Sequence, residues 1–198
     1  AELHAASAPH RSDGPAVYPG TCRHLTAAER EKKTRAPATR LMVPNETWSF
    51  TDGHMGHYGD NLLHECGDFL LRRSDGMFAY QLAVVVDDAA MGVTEVVRGV
   101  DLLSSAPRQM YLQELFGFSH PAYGHVPLLV APDGRRLSKR DKDMDLGYIR
   151  QNMSPEQLIG KLAFSSGLTE NDAPISAKEL ATVFDWKNLR KEEICLKF

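Results

Sequence analysis

Apolar and polar positions along this chain fall into short runs, parted by turn residues, rather than into one sustained period. Arg40 to Val43 and Thr47 to Thr51 are brief strand candidates separated by Pro44 and Asn45. Asp52-Gly53-His54-Met55-Gly56-His57-Tyr58-Gly59 carries too much glycine for regular structure. From Asp68 the pattern sharpens. Phe69 to Arg73, the turn Ser74-Asp75-Gly76, and Met77 to Val86 predict two strands joined by a tight Asp-Gly turn. Leu82-Ala83-Val84-Val85-Val86 is unbroken apolar and β-branched at its end, the pattern of a strand covered on both faces. It stops at the acidic pair Asp87-Asp88, at the C-terminal end of a strand, where ligands collect in open α/β sheets.

Val93 to Arg98 predicts a further strand, closed by Gly99. Asp101 is placed to cap a helix in which Leu102, Leu103, Met110, Leu112, Leu115 and Phe116 keep roughly helical spacing. Pro107 then belongs in the first turn or in a break before it, and Gly117 is a C-terminal stop. Tyr123 to Ala131 reads as strand, Pro132-Asp133-Gly134 as a turn, and Arg135 to Lys139 leads back. Strand, helix, strand in that order predicts an α/β fold built on a parallel sheet.

The flanks read differently. Residues 1 to about 24 are loop-like, and Thr26 with Glu29 three positions on forms a capping box for a short helix. Ser154-Pro155-Glu156-Gln157 starts a helix with proline at its first position, ending near Gly167. Ala177 to Phe184 is a second short helix, and the basic residues Lys187, Arg190, Lys191 and Lys197 follow. A small helical appendage after about residue 150 is expected.

Composition narrows the function classes. Of 198 residues, 42% are hydrophobic and 25% charged, the balance of a globular protein. A net charge of −3 excludes a general nucleic-acid sponge, so RNA contact would need a local basic patch. The apolar run Leu82 to Val86 is far shorter than the roughly 20 residues that span a bilayer. Cys22, Cys66 and Cys195 are widely spaced and odd in number, which points to a reducing cytoplasm rather than a disulfide framework. Ala1 follows no initiator methionine, and the expectation is a cut inside a longer protein.

Chemistry concentrates at Leu137-Ser138-Lys139-Arg140-Asp141. A loop lysine beside a small hydroxyl residue suits the charge that builds on a transferring phosphoryl or adenylyl group, although a solvated polar loop has the same composition. A second candidate is His54-Met55-Gly56-His57 with His64 and Cys66, which either chelates a metal or is a set of loop histidines.

The context of the lysine loop is more specific. Phe78 to Asp88, Gly92 to Gly99, His125-Val126-Pro127-Leu128-Leu129 and Leu137-Ser138-Lys139-Arg140 together resemble the glutamate branch of the class I aminoacyl-tRNA synthetases. Order and spacing match across about residues 68 to 145. Leu137 to Arg140 looks like that class's second signature loop, usually quoted as KMSKS. Tyr18-Pro19-Gly20-Thr21-Cys22 resembles the Tyr-x-x-x-Cys half of a zinc motif found in the subgroup that acts on the queuosine base of tRNA(Asp). The chain also ends some fifty residues after the lysine loop, where an ordinary glutamyl enzyme continues into an anticodon-binding domain.

The resemblance implies the second half of a Rossmann-like catalytic domain over 68–150. A zinc-containing insertion region (1–67) precedes it, and a helical stem-contact region (151–198) follows. It implies a ligase that activates glutamate with ATP and Mg²⁺ to glutamyl-adenylate and transfers it to tRNA. The acceptor implied is the queuosine base of tRNA(Asp), with charging of tRNA(Glu) as the alternative. A tRNA-binding module that has lost catalysis is the reading from another class. Tyr80 and Arg98 match glutamate-binding residues, and a guanidinium can hold a carboxylate through two parallel bonds. Strand-end exposure for Arg98 and core packing for Tyr80 are the plain alternatives. Lys139 matches the ATP-contacting lysine, the catalytic candidate, with Leu137, Ser138, Arg140 and Asp141 completing the ATP loop. Tyr18 and Cys22 would be a partial zinc site. Its Cys-x-Cys partner is expected just before Ala1, with His4, His10 or His24 as substitutes. The HIGH-type signature is not found, so this chain alone is expected to form no adenylate. The whole protein is expected to be a cytoplasmic monomer.

Overall fold

In the computed structural model, residues 17–131, 134–135, 137 and 146–195 are described. The chain is α/β, and its contacts gather into two compact units, one running through His125 and one from Val126 onward. The reading of Arg135 to Lys139 and of Pro132-Asp133 lies largely outside the described residues.

The first unit opens with Tyr18, whose backbone bridges to Gly67, and with α1 (Ala27–Glu31). The capping box is formed as its sequence predicts: Thr26 Oγ1 accepts from Glu29 N–H at 3.3 Å, and Glu29 Oε2 accepts from Thr26 N–H at 2.8 Å. β1 (Thr39–Leu41) runs antiparallel to β4 (Phe69–Arg72). Asp68 ties this region together: one carboxylate oxygen accepts from Val43 N–H at 3.1 Å, and the other lies 3.6 Å from Arg23 Nε.

β2 (Thr47–Asp52) pairs antiparallel with β3 (Gly56–Asn61) over six residues each. The glycine-rich stretch is therefore half turn and half strand, a correction to the sequence reading. Asp52 Oδ1 turns the chain by accepting from His54 and Met55 N–H at 3.0 and 2.8 Å. Gly59 is a strand residue because its partner strand comes too close for a side chain. A Cβ there would meet Ser49 Cβ at 2.7 Å and Trp48 O at 3.1 Å.

The larger correction concerns Leu82 to Val86. The return strand after the Asp-Gly turn is reduced to a single bridge, Phe78 to Arg72, and Tyr80–Met91 is the helix α2. A short apolar run fits either structure, and length and packing decide between them. Gln81 and Val85, one turn apart, are buried while Val86 is exposed, so the run has one inward face rather than two. The few tenths of a kcal/mol that valine loses in a helix are outweighed by burying Val85 in the core with Val43, Leu62, Phe69 and Leu112. Asp87 and Asp88 are thus helical residues, not the end of a strand. Gly92 stops α2 in the left-handed conformation at φ 68°.

β5 (Glu95–Gly99) follows and leads into a 3₁₀ segment, Val100–Ser105, which holds Asp101 buried inside it rather than at a cap. α3 (Ala106–Phe116) carries Pro107 in its first turn and ends at left-handed Gly117, as expected. β6 (Ala122–Val126) is the hydrogen-bonded neighbour of β5, with Ala122 N–H donating to Thr94 O at 2.9 Å. The described strands form four separate two-stranded ladders in place of the single parallel sheet expected.

In the second unit, β7 (Leu129–Val130) pairs in parallel with β8 (Ile194–Cys195). Pro127 separates β7 from β6, so the predicted strand from Tyr123 to Ala131 is two shorter ones. Gly134 makes the expected turn, its N–H donating to Ala131 O at 2.8 Å. α4 (Leu146–Asn152), α5 (Pro155–Ser165) and α6 (Ala177–Val183) form the helical part. α5 starts on the Ser154–Gln157 capping box with Pro155 at its first position. Among the described residues no helix is long and apolar enough to cross a membrane.

Candidate functional site

Arg98 lies near the end of β5, with its guanidinium turned inward against α2, α3 and β6 rather than out from a surface. Its Nε donates to His125 Nε2 at 3.0 Å, and its Nη1 donates to Gln109 Oε1 at 2.8 Å. Nη2 is buried and has no hydrogen-bond partner. The guanidinium carbon stands 5.2 Å from the centre of the Tyr123 ring. A charged donor buried without an acceptor costs free energy that an anionic ligand would recover.

Tyr80, the first residue of α2, comes to the same place. Burial pushes the pKa of Arg98 down, while the phenols of Tyr80 and Tyr123 and the carboxylate of Asp88 oppose that shift. Asp88 is in turn raised by burial, against the pull of Arg98. Two of the residues singled out in the sequence, Tyr80 and Arg98, therefore share one site, and Asp88 faces it from the third turn of α2.

The sequence reading included Gln81 and His125 in its family-like segments but assigned no role to the polar shell behind Arg98. Gln109 Nε2 donates to Gln81 Oε1 at 2.9 Å, and Gln81 Nε2 donates to Ser105 Oγ at 3.1 Å. On the other side, His125 Nδ1 sits 2.6 Å from Asp52 Oδ2. Asp52 Oδ1, besides holding its own turn, accepts from His125 N–H at 3.1 Å. Asp52, Gln81, Ser105, Gln109 and His125 are all buried, His125 and Ser105 at 0% exposure. Burial lowers the pKa of His125, aided by the Arg98 charge and opposed by Asp52 and the Leu102 carbonyl. Asp52 is also lowered: burial alone would raise it, but His125 and three backbone N–H groups together outweigh that. With Nε2 accepting from Arg98, the arrangement is that of an imidazole whose Nδ1 faces the carboxylate as donor. No spacing in the sequence marks these residues, because Asp52 and His125 are 73 positions apart.

Lys139, with Ser138, Arg140 and Asp141, lies outside the described residues, and Leu137 is half-buried in the second unit. Tyr18 and Cys22 do come together: Cys22 N–H donates to the Tyr18 hydroxyl at 2.8 Å, and the Cys22 side chain is the main cause raising the phenol's pKa. The Arg40 guanidinium carbon lies 4.0 Å from the centre of the Tyr18 ring. Two convergent donors fit half of a tetrahedral zinc set, and among the described residues no group of three or more His, Cys, Asp or Glu could hold a metal. His57 and His64 are exposed and His54 is buried, so the histidine-rich loop forms no chelating cluster there.

Residues 4–196 match the model of the class I tRNA synthetases (E and Q), catalytic domain. The Glutamyl-Q tRNA(Asp) synthetase of Symbiobacterium thermophilum is 47% identical over 199 residues, covering 96% of this chain and 60% of that protein. The protein of that name from Nitratidesulfovibrio vulgaris is 49% identical over 178 residues, covering 88% of this chain and 55% of its own. The crystal structure of glutamate-tRNA synthetase from Elizabethkingia anophelis superposes with a TM-score of 0.72 at 26% identity, over 91% of this chain and 42% of that one. The chain thus spans 60% or less of the length of these relatives.

Proposed function

The chain belongs to the catalytic-domain family of the class I tRNA synthetases for glutamate and glutamine, and we propose on that footing that it carries the glutamate pocket and the second ATP loop of a glutamate-activating ligase. The observation that carries this reading is the buried Arg98 guanidinium, with Nη2 unpaired beside the Tyr80 phenol. Arg98 grips the carboxylate of glutamate that does not react, because a carboxylate clamped by a cation is a poorer nucleophile. The free carboxylate attacks the α-phosphate of ATP and pyrophosphate leaves, and a tRNA hydroxyl then takes the acyl group from the adenylate with release of AMP. With Nε and Nη1 already engaged inside the protein, the guanidinium addresses its ligand through Nη2, not through the side-on Nε/Nη2 pair.

Lys139 steadies the charge that develops as the phosphoanhydride breaks. Mg²⁺ bound with ATP would neutralise phosphate charge during this step. Zinc, if present in the full-length protein, would engage Tyr18 and Cys22 as two of its ligands. The acceptor is the queuosine base of tRNA(Asp), a reading supported by relatives of that name at 47% and 49% identity. Three free thiols, Cys22, Cys66 and Cys195, suit a reducing cytoplasm.

Glutamate-dependent ATP–pyrophosphate exchange by the native full-length protein tests the activation step, and absence of exchange would remove the reading. Transfer of labelled glutamate to queuosine-containing tRNA(Asp) is expected to exceed transfer to tRNA(Glu), and the reverse ranking would reassign the acceptor. Lys139→Ala is expected to slow adenylate formation roughly tenfold or more, as loss of a transition-state charge partner does. An unchanged single-turnover rate would take Lys139 out of the mechanism.

A further inference from the structure

Arg98 is useful only if its unpaired Nη2 points at the ligand, and a free arginine side chain has many rotamers. The buried shell removes that freedom. His125 presents an unprotonated Nε2 to the Arg98 Nε–H at 3.0 Å, so the ring proton must sit on Nδ1. That nitrogen lies 2.6 Å from Asp52 Oδ2, a distance that suits N–H donation to a carboxylate. Gln109, fixed by Gln81 and Ser105, takes Nη1 from the opposite side. The order of donors along the chain of bonds is therefore forced: Arg98 to His125, and His125 to Asp52.

We propose that Asp52 and His125 are positioning residues that set the specificity pocket, Asp52 fixing the Nδ1–H tautomer of His125 so that Nε2 holds Arg98 with Nη2 turned to the amino-acid ligand. This rests on the reading of Arg98 as the glutamate-binding group, and it adds two residues that touch neither glutamate nor ATP. The groups facing the imidazole are Asp52 from β2, Arg98 from β5 and the Leu102 carbonyl from the 3₁₀ segment. An isosteric change separates the tautomer role from mere filling of space. In Asp52→Asn the side-chain oxygen must stay on the three backbone N–H groups that Oδ1 now serves. The amide NH₂ then faces His125 Nδ1 and drives the ring to the Nε2–H form, setting donor against donor at Arg98. A wrong tautomer with the geometry retained is a known way to lose function.

In the native full-length protein, Asp52→Asn and His125→Leu are expected to raise the KM for glutamate about tenfold or more in pyrophosphate exchange, with the KM for ATP unchanged. His125→Gln, whose amide can accept from Arg98 and donate to Asp52, is expected to stay within about threefold of wild type. An unaltered glutamate KM in Asp52→Asn, or an equal rise for ATP, overturns the proposal. The second measurement needs no activity: ¹⁵N–¹H spectra of histidine-labelled wild type, with His125 assigned by the signal lost in His125→Gln. An Nδ1–H tautomer is expected, and an Nε2–H tautomer overturns the proposal whatever the variants do. If wild type shows no glutamate-dependent exchange, the functional reading fails, while the spectrum still decides whether the relay exists.

Discussion

Arg98→Lys in the native full-length protein should lower kcat/KM for glutamate in pyrophosphate exchange by roughly two orders of magnitude, although charge is conserved. Lysine has no Nε–H to give to His125 at the angle the ring requires, and a single ammonium cannot serve His125, Gln109 and a ligand at once. The two internal bonds at 3.0 and 2.8 Å would be weakened or lost, leaving buried acceptors on His125 and Gln109 without donors. Hydrogen bonds to charged groups contribute about 1.5–3 kcal/mol each, and about 1.4 kcal/mol is a factor of ten, so losing one well-placed bond to the ligand and part of the shell reaches that figure. Activity near wild type in the lysine variant would mean that charge alone suffices, and the buried shell would then have no part in recognition. Tyr80→Phe, which keeps the ring and removes the hydroxyl beside the guanidinium, should have a smaller effect of the same kind.

The elements legible in the sequence were those whose ends are set by local chemistry. Thr26 with Glu29, and Ser154 with Gln157, close capping boxes inside four residues, and Gly117 and Gly134 supply left-handed turns where the runs stop. The elements misread were those settled by distant packing. Leu82 to Val86 is strand-like by composition, yet Val85 belongs to a core with Leu112 and Phe69 and the segment is helical. Gly59 looked like a breaker because the closeness of Ser49 cannot be seen until the hairpin is formed.

The site divides along the same line. Arg98 and Tyr80 stood out through the resemblance of their segments to a known family, and the structure brings them together. Gln81 and His125 lie in the same matching segments but carried no assigned role, and Asp52 and Gln109 lie outside them, because such polar side chains are mostly exposed and only tertiary structure shows them buried and paired. Gln109 and Gln113, one turn apart on α3, flank the core residue Leu112, a spacing that surface glutamines share. The buried guanidinium was thus readable, while the polar shell that holds it was not.

The second unit offers a test in which two physical effects have opposite signs. Gly160 lies in the interior of α5, where replacing glycine by alanine normally stabilises a helix by about 1 kcal/mol. Here the glycine is buried under the segment that returns from α5, and a Cβ would fall inside the contact radius of the Ala173 carbonyl oxygen. It would also stand 2.9 Å from the Ala173 carbonyl carbon and from Asp172 O. These are backbone atoms, so the segment has to move as a whole. Moving it strains the bond from Ile175 N–H to Glu156 O at 3.1 Å and the exposed pair of Lys161 with Asp172. Overpacking of this kind costs about 1–3 kcal/mol and occasionally more, which exceeds the gain in helix propensity. Gly160→Ala should therefore destabilise the protein by about 2 kcal/mol, a fall in Tm of about 4–8 °C for a chain of this size. Loss of amide-exchange protection should centre on Ile175 and the start of α5, leaving the Arg98 site in the other unit protected. A rise in Tm would mean that the 172–175 segment yields without cost and that helix propensity decides the sign.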